Sequence, residues 1–194
     1  MKNARKTALS LVVAAAALLV LMVPAMAYDR QAAVGYAYAH ASADRGPDDN
    51  YAYNPSYRSY GNDCTNFVSQ CLRAGGWQDT GWFYYSDWNW FCNGGGWGRH
   101  SSTWSWSNAA DLFEFLHRSG RASLVNSWQD LQPGDVVQVN WDGGWPVSHT
   151  MIVTGYDGWG YPTLTQHSNN RLNKTIWEYL QESPNASFYG WHIR

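Results

Sequence analysis

The hydrophobic pattern changes period near Pro133, and that change narrows the folds open to this chain. Upstream, Cys64, Phe67, Val68, Cys71 and Leu72 recur at the i, i+3, i+4, i+7, i+8 spacing of a helix with one buried face. Gly75-Gly76 stops that helix, and Asn62 or Asp63 stands where its cap belongs. Residues 29–41 are Ala-rich and read as an earlier helix with Asp29 as cap. Residues 108–118 read as a later one, capped by Asn108 and ended by Gly120. Past the turn Gln132-Pro133-Gly134-Asp135, strands are expected over 136–139, 149–154, 163–168 and 188–193. A short helix is expected over 174–180. Helices followed by antiparallel strands, without internal repeats, indicate a single α+β domain with N-terminal helices packed on a C-terminal sheet.

The first 27 residues stand apart from that domain. Lys2, Arg5 and Lys6 precede an apolar run over 8–23, and Ala25-Met26-Ala27 offers a small-x-small cleavage site. This is the pattern of a secretory signal peptide, and the run is short for a retained span of about 20 residues. The expectation is a secreted, extracellular protein of residues 28–194, in which loss of three basic residues takes the formal charge from −2 to −5. An acidic balance argues against nucleic acid as a partner. No second apolar stretch suggests a membrane span, and a monomer is expected.

Three cysteines in an exported chain leave one thiol over. On a regular helix Cys71 lies about 10 Å along the axis from Cys64, and a disulfide needs Cα atoms within about 7 Å. Cys71 is therefore expected to pair with Cys92, leaving Cys64 free. The alternative is a Cys64–Cys92 bridge with Cys71 as a buried thiol. Cys64 stands at the start of its helix, where unpaired N–H groups and the helix dipole favour an anion. A thiolate is such an anion, and helix starts lower thiol pKa values.

A nucleophilic thiol needs a base. His149 opens the expected strand His149-Thr150-Met151-Ile152-Val153, which would hold its imidazole rigidly. A third polar group orients such a base. His167, in Leu164-Thr165-Gln166-His167-Ser168-Asn169, could stand beside it on the next strand, with Asn169 as the alternative.

Asp63-Cys64-Thr65-Asn66-Phe67-Val68-Ser69-Gln70-Cys71-Leu72 resembles the helix-start motif of the bacterial putative amidase domain family, relatives of NlpC-type and CHAP-type cell-wall hydrolases in the papain-like superfamily. Pro133-Gly134-Asp135-Val136-Val137, Ser148-His149-Thr150-Met151, Gln166-His167-Ser168 and the end Phe188-Tyr189-Gly190-Trp191-His192-Ile193 resemble the family's other signatures. The resemblance covers nearly all of the chain from Asp29 onward. It implies a cysteine peptidase or amidase that cuts an amide through an acyl-enzyme, in cell-wall peptide (peptidoglycan). It also implies substrate contacts from Asp63 and Thr65, and help at the oxyanion from Tyr60, Tyr57 or Tyr53.

Other signals carry less. Trp82, Trp88, Trp90, Trp97, Trp104 and Trp106 could stack sugar rings, but packing of an irregular loop is the expected role. Asp44, Asp48, Asp49 and Asn50 lack the spacing of a calcium loop, and the histidines and cysteines lack zinc spacing. No cofactor or metal is expected. The competing functions are a secreted cysteine acyltransferase or general peptidase using the same pair, and a non-catalytic Trp-rich binding module.

Overall fold

The computed structural model describes residues 27–41, 53–94 and 101–194. The signal segment up to Met26, the acidic loop holding Asp44, Asp48, Asp49 and Asn50, and Trp97 lie outside the described residues. Four helices come first: α1 (Arg30–His40), α2 (Cys64–Ala74), α3 (Trp104–Ser107) and α4 (Ala109–Arg118). They are followed by β1 (Ala122–Leu124), a 3-10 turn (Trp128–Asp130), β2 (Val136–Asn140), β3 (His149–Tyr156), β4 (Pro162–Gln166), β5 (Arg171–Thr175), α5 (Ile176–Glu182) and β6 (Ser187–Ile193). The strands form one antiparallel sheet in the order β1-β6-β2-β3-β4-β5.

The caps are satisfied as side-chain chemistry dictates. Asp29 Oδ1 accepts from the Ala32 N–H at 2.9 Å, and Asn108 Oδ1 accepts from Ala110 at 2.9 Å. Thr175 and Glu178 close a reciprocal capping box on α5. Asp63 takes the cap position of α2, yet its carboxylate makes no capping bond there.

Two cores flank the sheet. On one face Phe67, Val68, Cys71 and Leu72 of α2 meet Ala33 and Ala37 of α1, Leu112 and Leu116 of α4, and Val136, Ile152 and Trp191 of the sheet. On the other, Val137, Val139, Met151, Val153 and Leu164 are covered by Ile176 and Tyr179 of α5. The Pro-Gly-Asp turn joins the layers. Asp135 is fully buried and accepts from Arg30 at 2.6 Å and from the backbone N–H of Ile193 and Gln132. Gly134 has φ +89°, and a Cβ there would stand 3.2 Å from Arg30 Cβ.

The structure departs from expectation in several places, among them the helix expected over 174–180, which runs Ile176–Glu182 because Lys174 and Thr175 belong to β5. β1, α3 and β5 are additional elements. β4 ends at Gln166, two residues before the expected limit, because Ser168 and Asn169 adopt φ of 60° and 62° and turn the chain. Gln166 Nε2 holds that turn through the carbonyls of Ser168 and Asn169. The expected Cys71–Cys92 bridge is absent: all three cysteines are free thiols. The Cys92 thiol is directed at the Gly94 carbonyl, 4.0 Å away. Cys71 faces Tyr28 and Tyr36 on the α1 side, whereas the Cys92 carbonyl is held by Arg73.

Candidate active site

Cys64 is the first residue of α2 and His149 the first residue of β3, and both are nearly sealed at 5% and 7% exposure. The residues that follow them tie the two elements together. Thr65 Oγ1 and Thr150 Oγ1 lie 2.9 Å apart. Gln138 on β2 donates to Thr150 Oγ1 at 3.2 Å and to the Ala109 carbonyl, and its own oxygen accepts from Trp191. A buried hydroxyl–amide network thus fixes the helix start against the strand start.

Burial is the largest single effect on the Cys64 thiol and pushes it up, and the charge and hydrogen bonding of His149 are the largest effects against it. Thr65 and the Thr150 backbone add to the lowering, and the thiol is held below its ordinary value. The amide at the first position of a helix also has no intrahelical acceptor. It is available to a developing oxyanion beside the sulfur. The other two thiols behave oppositely: burial pushes both Cys71 and Cys92 up.

His149 Nε2 is buried and has no hydrogen-bond partner among the described residues. The ring sits 5.7 Å from Trp141, which Tyr179 and Phe188 hold in turn. His167 is directed elsewhere. Its Nδ1 lies 2.8 Å from Asp63 Oδ2 and its Nε2 lies 2.6 Å from the His40 carbonyl. Asn169 is exposed on the turn after β4. The structure therefore brings Cys64 and His149 together and pairs His167 with Asp63.

Asp63 is 1% exposed, and its other oxygen accepts from the Tyr60 N–H at 2.9 Å and Asn66 Nδ2 at 2.8 Å. Thr65 is fully buried. Tyr60 lines a polar cavity of about 390 Å³ together with Tyr53, Ser59, Gly61, Asn62, Ser168 and Asn169. Its hydroxyl lies 2.9 Å from Ser102 Oγ. Of the expected substrate contacts, Tyr60 faces open space, whereas Asp63 and Thr65 are enclosed. Trp141 and Gln138 carry no motif signal, whereas Thr150 lies in the Ser148-His149-Thr150-Met151 signature. Gln138 is signalled only by its place on the expected strand over 136–139.

The Trp-rich segment divides. Trp90 and Trp106 are fully buried, and their indole N–H groups donate to Ser69 and Asn66 of α2. Trp82, Trp88 and Trp104 are 83%, 64% and 51% exposed. Among the described residues no group of His, Cys, Asp and Glu could hold a metal, and no helix is long and apolar enough to cross a membrane.

The family model described as a putative amidase domain matches residues 27–191. The chain belongs to the putative amidase domain family. Among curated proteins it is similar to the uncharacterized protein YhbB of Bacillus subtilis (strain 168), 32% identical over 178 residues that cover 87% of this chain and 51% of that one. It is also similar to the uncharacterized protein YjcM of the same organism, 29% identical over 178 residues, covering 86% of this chain and 37% of that one. The amidase domain thus spans about half of the first relative and less of the second. No solved structure matches this member of the amidase family.

Proposed function

We propose that this amidase-family domain is a papain-like cysteine hydrolase that cleaves an amide bond, with Cys64 as nucleophile and His149 as its general base and acid. The observation that carries this reading is the thiol at the N-terminus of α2, held below its ordinary pKa chiefly by His149 against the cost of burial. The Cys64 thiolate attacks the carbonyl carbon, forming a C–S bond, and the helix-start amide stabilises the oxyanion. The C–N bond then breaks as His149 gives its proton to the leaving nitrogen. Water attacks the thioester while His149 takes up its proton, and the C–S bond breaks to release the acid. No third polar residue is assigned to His149.

The substrate reading is peptide in the bacterial cell wall, reached by secretion. The signal-like N-terminus and the resemblance to NlpC-type hydrolases support it. A zymogram with purified peptidoglycan tests it. Clearing is expected from the wild type and lost in Cys64→Ala; clearing that persists in Cys64→Ala rejects the mechanism. A product carrying an added amine acceptor in place of the free acid would instead identify acyl transfer.

A further inference from the structure

His167 and Asp63 form a buried pair one residue from the nucleophile, and hydrolysis as drawn above does not use it. Their side chains are 2% and 1% exposed, and Nδ1 lies 2.8 Å from Oδ2. The Tyr53 and Phe67 rings stack on the two faces of the His167 imidazole, each with centroids 4.0 Å away and tilted by only 5° and 21°. The ring is thus clamped between the segment before α2 and α2 itself. Its far nitrogen reaches the last turn of α1 at the His40 carbonyl. The next residue closes the clamp: Ser168 Oγ accepts from the Asp63 N–H at 2.7 Å.

The bonding fixes the charge of the pair. A carbonyl oxygen only accepts, so Nε2 carries a hydrogen. Asp63 Oδ1 accepts two N–H bonds. One further proton then lies between Nδ1 and Oδ2. Whichever atom holds it, histidine and aspartate together are neutral. This matters because an unpaired carboxylate next to a thiol opposes thiolate formation. Arg58 and Tyr57 line the same small pocket as Asp63 and His167, with the Arg58 guanidinium over the Tyr60 ring. His149 acts on Cys64 from β3, and the Tyr36 hydroxyl of α1, bonded to Gln70 and Asn54, feels the Asp63 charge. Tyr53 and Phe67 cover the histidine ring, and the His40 carbonyl meets its far nitrogen.

We propose that His167 is a positioning residue that acts through Asp63: it cancels the carboxylate charge beside Cys64 and bolts the turn after β4 to the start of α2, so that the thiolate forms without an opposing buried anion. This rests on Cys64 being the reactive thiol but not on any substrate. It separates His167 from the role of orienting His149.

The test is a charge cycle read on the thiol. Alkylation of the Cys64 peptide is followed by mass spectrometry across pH in wild type, His167→Gln, Asp63→Asn and the double variant. In His167→Gln the midpoint should rise by about one pH unit, the order of a like-charge effect at this range, so labelling at neutral pH slows about tenfold. The double variant should return to within about 0.3 units of wild type, because both charges have gone. A purely structural role predicts that the second substitution adds damage and does not reverse it. An unchanged midpoint in His167→Gln, or a shift that Asp63→Asn leaves in place, overturns the proposal. If His167→Gln alone fails to fold, a folded double variant with the wild-type midpoint supports charge balance, and a double variant that also fails to fold overturns it. Loss of wall clearing with an intact alkylation cycle would sink the substrate reading and leave this one standing.

Discussion

Cys64 and Cys71 lie two turns apart on one helix and are about equally hidden from water, at 5% and 0% exposure. Their chemistry diverges all the same: Cys64 is held below the ordinary thiol value and Cys71 is pushed well above it. Desolvation acts on both in the same direction. What differs is the company. Cys64 has His149, the Thr65 hydroxyl and the Thr150 backbone, whereas Cys71 has its own backbone and a wall of Tyr28, Tyr36 and alanines from α1. Burial alone makes a thiol inert. Reactivity comes from a charge partner delivered by another element and from a place at the helix end.

The largest test of that contrast is a pair of substitutions. Cys64→Ala should lower turnover of an amide substrate by at least about 10³-fold, as loss of a nucleophile does. Cys71→Ala should leave turnover within a few-fold and cost about 1–2 kcal/mol in urea unfolding, the loss of a small packed side chain. A folded Cys71→Ala protein without activity would break the comparison.

The next test removes the partner. In His149→Gln the Cys64 alkylation midpoint should rise by about one unit or more, toward the unperturbed thiol value near 8.5. The sign follows from which form is favoured. A depressed thiol pKa means that the folded state stabilises the thiolate. That contribution is present in full above the unfolded pKa and is lost as pH falls through the folded one. Cys71 and Cys92, raised by burial, should label only when the protein is unfolded. Labelling of native Cys71 at the rate of Cys64 would show that helix position and His149 make no difference.

Much of this contrast could be read from sequence, and the unread part has specific causes. The helix start at Cys64 was legible because its apolar stripe, its cap position and its Gly-Gly stop agree with one another. The strand at His149 was legible because an apolar run follows a polar residue, and the strand at Phe188 because aromatic residues and Ile193 recur along it. β5 was not, because Arg171-Leu172-Asn173-Lys174-Thr175 is a sheet-edge strand, half-buried throughout except for an exposed Asn173. His167 was placed on a strand because Thr163 to Gln166 reads as one. The left-handed Ser168 and Asn169, neither of them glycine, end it early, and the imidazole is held on Asp63. Spacing excluded a Cys64–Cys71 bridge, but nothing in it marks Cys71 and Cys92 as free thiols. The Trp-rich segment has no period, so nothing in it distinguishes the buried Trp90 and Trp106 from the exposed Trp82, Trp88 and Trp104.

The smallest expected effect separates the contributions to Cys64. Thr65 touches both sides of the site: its hydroxyl is 3.7 Å from the Cys64 sulfur and 2.9 Å from Thr150 Oγ1. Thr65→Val keeps the shape and removes both bonds. It leaves the Thr150 hydroxyl to Gln138 alone, so a cost of about 1 kcal/mol in unfolding is expected. Its hydrogen bond ranks behind the two effects of His149 in lowering the thiol. The alkylation midpoint should therefore rise by only about 0.3–0.5 units, a fraction of the His149→Gln shift. If the two shifts came out equal, the hydroxyl network and not the imidazole would set the reactivity of Cys64. The difference from Cys71 would then rest on hydrogen bonds within the helix start, with no charge from β3 required.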